Sequence, residues 1–233
     1  VNRPFLPKAE EITHGLIVSG GPVDLTFAAG FLKNRSYELV IAVDAGLDTC
    51  LKLGLTPDLA VGDFDTFGRE RMEALKETGH FLSEVHEPRK DETDTELAVH
   101  SALKAGCTHA DVLGATGGRL DHELSNIQLL YQGKRRGLSL ELYDAKNRIY
   151  LLDGSDGCLK VYHREELYGP YISFLPLTEH VKGITLRGFL YPLEQKNISI
   201  LENPGLCVSN ELAESTGVMS FEKGILICVE SRD

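Results

Sequence analysis

The sequence predicts an α/β domain over residues 1–146, a mostly parallel sheet with flanking helices, followed by an all-β sandwich domain over residues 147–233. Two observations predict it. In the first part, short apolar runs alternate with helical patterns, as in parallel sheets covered on both faces. Past Asn147 the helical patterns stop, and short β-rich pieces follow one another between Gly, Pro, Asn and Glu-Lys turn signals.

The elements follow in order. "HGLIVSGG" reads as a buried strand running into the glycine turn Gly20-Gly21. "ELVIAVDAG" is a second strand ending at Asp44, and "PDLAVGDFD" a third ending at Asp63 and Asp65. "DTELAVHSALKAG" is helical, with Ala98, Ala102 and Ala105 recurring at i, i+4 and i+7. Thr93 and Glu96 form a Thr-x-x-Glu capping box that starts this helix near Thr93. "HADVLGATGG" is a fourth strand, ending at glycines from Gly114, and "LSLELYDAKN" a fifth. In the second domain "CLKVYH", "YISFLPL", "GITLRGF", "NISIL", "LCVSN", "GVMSFEKG" and "GILICVE" read as strands.

Composition narrows the function. The 233 residues are 42% hydrophobic, enough for one large or two modest cores, and the formal net charge is −11. A surface that acidic argues against nucleic acid, although a bound metal can reverse the sign locally for a phosphate substrate. The five cysteines are scattered and contain no Cys-x-x-Cys pair, so a zinc site or disulfide framework is not expected and a reducing cytosol is. No apolar run has the length of a membrane span, and the N-terminal stretch lacks an apolar signal core.

Ligands of open parallel sheets bind beyond the carboxyl ends of the strands. Gly20-Gly21, Asp44, Asp63, Asp65 and residues 114–119 all fall there. Two carboxylates one residue apart repel each other unless a cation lies between them. A polar turn is the plain account of "GDFD", and acids in a first helical turn complement the macrodipole with no further role. Two such clusters on one sheet rim favour a divalent metal, with Asp63, Asp65, Asp91 and Asp94 as candidate Mg2+ ligands beside substrate phosphates. In "LGATGGRLDHELSN", the amides of Gly117 and Gly118, the following helix N-terminus and Arg119 suit phosphate. Asp121, His122 and Asn126 follow on the first turns of that helix. The stretch is neither a Walker loop nor a dinucleotide fingerprint, and "DFD" lacks the later ligands of an EF-hand. A phosphatase with an aspartate nucleophile remains a minor alternative.

"GDFDT", "KDETDTELA" and "GATGGRLDHELSNIQLL", in this order and spacing, resemble thiamine pyrophosphokinases of the bacterial type. The similarity continues through "PYISFLPL", "GFLYPL", "VSNEL" and "GILICV" and spans nearly the whole chain from about Leu16. The resemblance implies pyrophosphoryl transfer from ATP to the thiamine hydroxyl, giving thiamine diphosphate and AMP. It implies a Rossmann-like nucleotide-binding catalytic domain, a thiamine-binding β-sandwich and a cytoplasmic homodimer with active sites between subunits. Carried onto this chain, it gives Mg2+ to Asp63, Asp65 and Asp94 with Asp91 in support, and the nucleotide to Gly20, Gly21, Asp44, Thr93, Thr116, Gly117, Gly118, Arg119, His122 and Asn126. Arg119 and Asp121 join the catalytic set, with Asp65 or Asp121 a possible base. Ser209 and Asn210 fall to thiamine. The chain has no tryptophan, which some animal members place near thiamine, and the sequence singles out no tyrosine or phenylalanine in its stead. A pyrophosphokinase for another alcohol such as a pterin, and a non-catalytic nucleotide or thiamine sensor, remain as alternatives.

Overall fold

The computed structural model describes residues 13–62, 82–85 and 92–233. The chain divides into two compact units, Val1–Ala145 and Lys146–Asp233.

In the first unit, strands β1 (His14–Val18), β2 (Leu39–Val43), β3 (Leu59–Gly62), β4 (Leu82–Val85), β5 (His109–Leu113) and β6 (Ser139–Tyr143) pair in parallel in the order β4-β3-β2-β1-β5-β6. Central β1 is flanked on both sides, with Ile17 opposite Ile41 on β2 and Val112 on β5. Apolar residues of both faces are excluded from water, including Leu16, Ile17, Ile41, Val61 and Val112, which explains their near-continuous apolar sequences. The chain moves outward from β1 to β4 in one direction, then returns to β5 and continues the other way. The strand order therefore reverses between β1 and β5, which opens a crevice at their carboxyl ends.

Among the described residues, four helices accompany the sheet: α1 (Leu25–Leu32), α2 (Gly46–Lys52), α3 (Asp94–Ala105) and α4 (Leu120–Arg135). Thr93 caps α3, its Oγ1 accepting from the Glu96 amide at 3.2 Å. The carboxylate of Glu96 does not reach back as a full capping box would; its Oε1 accepts from Gln132 Nε2 of α4 at 2.6 Å. Ala98, Ala102 and Ala105 are buried as their spacing requires, and Gly106, at φ +97, ends the helix.

The second unit contains two antiparallel sheets. One is β7 (Asn147–Asp153), β13 (Ile225–Ser231) and β9 (Tyr171–Pro176), with β13 central. The other runs in the order β11 (Leu193–Ser199), β10 (His180–Arg187), β12 (Thr216–Phe221), β8 (Cys158–His163). One core lies between them, with Tyr162, Phe174 and Phe189 packed edge-on or tilted at ring separations of 6.0–6.1 Å. A carboxyl group is buried in this unit: Glu230 is 1% exposed and accepts from Tyr150 Oη and the Tyr168 amide, each at 2.8 Å. Arg148 lies 3.5 Å away. Glu230→Ala leaves those donors without their buried acceptor and is expected to lower stability by about 2–4 kcal/mol, read from chemical denaturation.

Three elements differ from the sequence reading. "LCVSN" is a turn, not a strand. Val208 donates to the Gly205 carbonyl, Ser209 takes φ +54, and only Asn210 makes a ladder contact, to Ile172. Pro204-Gly205 just ahead of it is the turn signal that outweighs its apolar residues. The strands β4 and β7 have no counterpart among the elements read from sequence; in "LSEV" the apolar run is too short to register.

Candidate functional site

A cleft of about 620 Å3 opens at the carboxyl ends of β1, β2 and β5. Its floor is backbone. The turns after β1 and β5 are joined by hydrogen bonds from the Ser19 amide to the Leu113 carbonyl (2.8 Å) and from the Gly21 amide to the Gly114 carbonyl (3.0 Å). A Cβ on Gly21 would lie 2.4 Å from the Gly114 carbonyl oxygen, and one on Gly114, at φ +69, would lie 2.5 Å from that of Ser19. Only glycine permits this approach.

The β2 end presents Asp44, held at φ +45, with Oδ1 withdrawn from solvent. Gly62, the last residue of β3, has φ +135, and a Cβ there would lie 1.8 Å from Asp44 Oδ1. The glycine of "GDFD" thus makes room for a carboxylate from the neighbouring strand. Thr93 and Asp94 bring the start of α3 to the cleft, where Thr95 Oγ1 lies 3.1 Å from Ser19 Oγ.

Residues 114–118 are braced from three sides. Thr116 Oγ1 donates to Asp144 Oδ2 (2.5 Å), Asn126 Nδ2 donates to the Ala115 carbonyl (2.8 Å), and the Gly117 amide donates to Glu123 Oε1 (3.3 Å). The last contact places a carboxylate where the loop amide can hold an anion. No side chain caps α4, so its N-terminus opens toward the cleft beside Arg119 and His122. Arg119 is exposed and forks onto Asp121, Nε to Oδ1 at 3.1 Å and a second nitrogen to Oδ2. This pairing holds the Asp121 carboxyl below its ordinary value and raises the guanidinium.

Gly20, Gly21, Asp44, Thr93, Asp94, Thr116, Gly118, Arg119, His122 and Asn126 therefore line one cleft. Gly117 and Asp121 are tied to it through Glu123 and Arg119. Asp63, Asp65 and Asp91 lie outside the described residues. Asn126 is 7% exposed, and its bond to Ala115 makes it a brace of the loop. Asn126→Ala is expected to cost about 1–2 kcal/mol of stability by leaving a buried carbonyl unsatisfied, measured by thermal melting. Asp144, Glu123 and the Ser19–Thr95 pair escape sequence reasoning, since only the fold brings them to the loops they hold.

The chain matches two family models, "Thiamin pyrophosphokinase, catalytic domain" over residues 32–142 and "Thiamin pyrophosphokinase, vitamin B1 binding domain" over residues 158–226. It is 37% identical to the thiamine pyrophosphokinase of Bacillus subtilis over 218 residues, covering 93% of this chain and 98% of that one. The chain belongs to the thiamin pyrophosphokinase family. The fold agrees with crystal structures of thiamin pyrophosphokinases. That from Bacillus subtilis superposes with a TM-score of 0.81 at 36% identity, covering 95% of this chain and all of the other. That from Geobacillus thermodenitrificans gives 0.78 at 33% identity, covering 95% and 98%. Thiamin pyrophosphokinases are transferases, so the cleft in the unit matched by the catalytic model is the candidate active site.

Within the region matched by the vitamin B1 model, Ser209 is exposed and its amide donates to Ser173 Oγ at 2.9 Å. Asn210 is 2% exposed. Its Oδ1 accepts from the amides of Tyr191 (3.0 Å) and Glu211 (2.9 Å), and its Nδ2 donates to the Tyr191 carbonyl (2.9 Å). It grips the backbone of an aromatic residue whose side chain stands in solvent, Tyr191 being 60% exposed. The aromatic in "GFLYPL" is visible in sequence, but its connection to Asn210 is not.

Proposed function

We propose that the protein transfers the β,γ-pyrophosphoryl group of ATP to the hydroxyl of thiamine, releasing AMP and thiamine diphosphate. The observation that carries this is the cleft at the strand-order reversal, where anion-holding amides and a helix N-terminus meet a carboxylate rim in a chain of this family. The hydroxyl oxygen forms a bond to the β-phosphorus and gives up its proton, which passes to solvent. The bond from that phosphorus to the α,β-bridging oxygen breaks, and its electron pair leaves with AMP. Such chemistry is governed by positioning and charge stabilisation.

The Gly117 and Gly118 amides, the α4 N-terminus and Arg119 would hold phosphate oxygens, with Gly20, Gly21, Thr93, Thr116 and His122 as walls. The donors fit Mg2+: they are hard carboxylate oxygens, and the rim carries Asp44 and Asp94 with Arg119 already engaged by Asp121. Asp94, with Asp63 and Asp65, would bind it, Asp91 supporting. When bound, Mg2+ neutralises charge on the phosphates. Asp121 has lowered proton affinity, which suits a counter-ion of Arg119 better than a general base.

On the thiamine side, Ser209 and the Tyr191 ring would touch the substrate while Asn210 holds Tyr191 in place. Exposed apolar groups around them (Leu190, Leu206 and Val208) support a homodimer with shared active sites. A cytosolic location is supported by five free thiols. No described helix is long and apolar enough to cross a membrane.

The test is a product assay with ATP, Mg2+ and thiamine. AMP is expected to form in step with thiamine diphosphate and only when thiamine is present. ADP release, or AMP formation indifferent to thiamine, would overturn the assignment. A pterin accepted in place of thiamine would favour the other pyrophosphokinase reading, and ligand binding without product the sensor.

A further inference from the structure

On one face of α3 and its leading turn stand Glu92, Glu96 and His100, four residues apart and therefore neighbours. Their ligand atoms lie within 4.8 Å of one another, the only such trio among the described residues. His100 Nδ1 is 3.7 Å from Glu92 Oε1, and the imidazole makes no hydrogen bond among those residues, its Nε2 being withdrawn from solvent without a partner. Opposite, on α4, Gln132 donates Nε2 to Glu96 Oε1, and its own Oε1 is equally buried and unpartnered. Turning the amide over would set its oxygen against the Glu96 carboxylate, so rotation gives the carbonyl no partner. Two carboxylates and an imidazole thus converge, and the amide that bonds Glu96 carries a buried carbonyl oxygen without a partner.

We propose that Glu92, Glu96 and His100 form a site for a first-row divalent transition-metal ion, with the Gln132 carbonyl as fourth donor. Ligands around a tetrahedral zinc ion, with bonds of about 2.0–2.1 Å, stand roughly 3.4 Å apart. The trio therefore needs to contract by no more than about 1.4 Å. The imidazole favours zinc or cobalt over magnesium, which prefers an all-oxygen octahedron. Its donors are not the Mg2+ ligands proposed above: on α3, Asp94 lies two positions before Glu96, where the helix turns away from the face shared by Glu96 and His100. Bound metal would fasten the start of α3 to α4, the two helices that carry Asp94 and the arginine turn.

Calorimetric titration of Zn2+ into the full-length, untagged protein with saturating Mg2+ tests this, with Co2+ as a visible-absorption probe. One ion per chain is expected, with a Co2+ spectrum of mixed nitrogen and oxygen ligation. Glu96→Gln and His100→Gln should each weaken Zn2+ by at least about tenfold, while Asp94→Asn leaves it unchanged. Glu92→Gln, at a residue outside the helix, makes the same test if His100→Gln fails to fold. Parental Zn2+ affinity in the Glu92 or Glu96 variant, one-for-one displacement of Zn2+ by Mg2+, or loss of the site in Asp94→Asn would each overturn the proposal.

Discussion

Gly62→Ala is expected to lower stability by about 3 kcal/mol and turnover by about a hundredfold or more. Two effects act together. The backbone at φ +135 is one that residues with a Cβ adopt only under strain, at a cost of about 1–3 kcal/mol. The new methyl would also fall 1.8 Å from Asp44 Oδ1, so either strand β3 or the carboxylate must move, with an overpacking cost of similar size. Because Asp44 stands in the cleft, the displacement reaches the site even where the fold survives; a hundredfold loss corresponds to about 2.7 kcal/mol in the barrier. A second substitution separates the two consequences. Asp44 itself sits at φ +45, so Asp44→Gly relieves the clash with no new strain. The double variant Gly62→Ala/Asp44→Gly should recover about half of the lost stability, the share due to the clash, and none of the turnover. A single variant with normal melting and normal rate would mean that the close approach of Gly62 to Asp44 is without consequence.

Asp94→Asn is expected to reduce turnover by about a hundredfold or more while the protein remains folded. Asparagine preserves the shape of the side chain and removes the charge that would hold Mg2+, whose stabilisation of the transition state amounts to several kcal/mol. The helix it begins keeps its cap, because Thr93 still accepts from the Glu96 amide. The remaining structural loss is the interaction of one carboxylate with the helix dipole, about 0.3–1 kcal/mol. Mg2+-ATP should therefore raise the melting temperature of the parent more than that of the variant. If activity falls only as far as melting predicts, Asp94 is a helix-terminal acid with no further task.

The elements that the sequence displays best are those whose burial is complete. Runs such as "LIV", "LVIAV" and "DVL" are buried on both faces, and burial on both faces leaves little choice of residue. The beginning of α3 is equally legible, since Thr93 caps through a bond to a residue only three positions on. Glu96 is not, because it answers to Gln132, thirty-six residues away. "LCVSN" misleads for a related reason: Cys207 is buried, but by a turn whose carbonyl receives the Phe174 amide, and apolar composition alone does not separate that from a strand. At the cleft, glycines and charged residues announce themselves by type and spacing. Their division of labour does not. Asn126 turns inward to the Ala115 carbonyl, Arg119 turns to Asp121, and Asn210 is consumed by the backbone of Tyr191. Each of these depends on a hydrogen-bond partner that local pattern cannot name.

The backbone seam between the turns after β1 and β5 also bears on when the molecule becomes competent. Ser19 and Leu113 are ninety-four positions apart, so their bond closes a long loop, and contacts of that span form late because the entropy of closure precedes any reward. The seam contains no side chain that could assemble locally in advance. A partly folded chain with β1 to β3 in place would own Asp44 and Gly62 but no floor between Gly21 and Gly114. Nucleotide affinity should consequently appear in a single step with the last of the sheet during refolding. A fluorescent ATP analogue would then serve as a clock for completion of the native topology, lagging behind the recovery of helical circular dichroism.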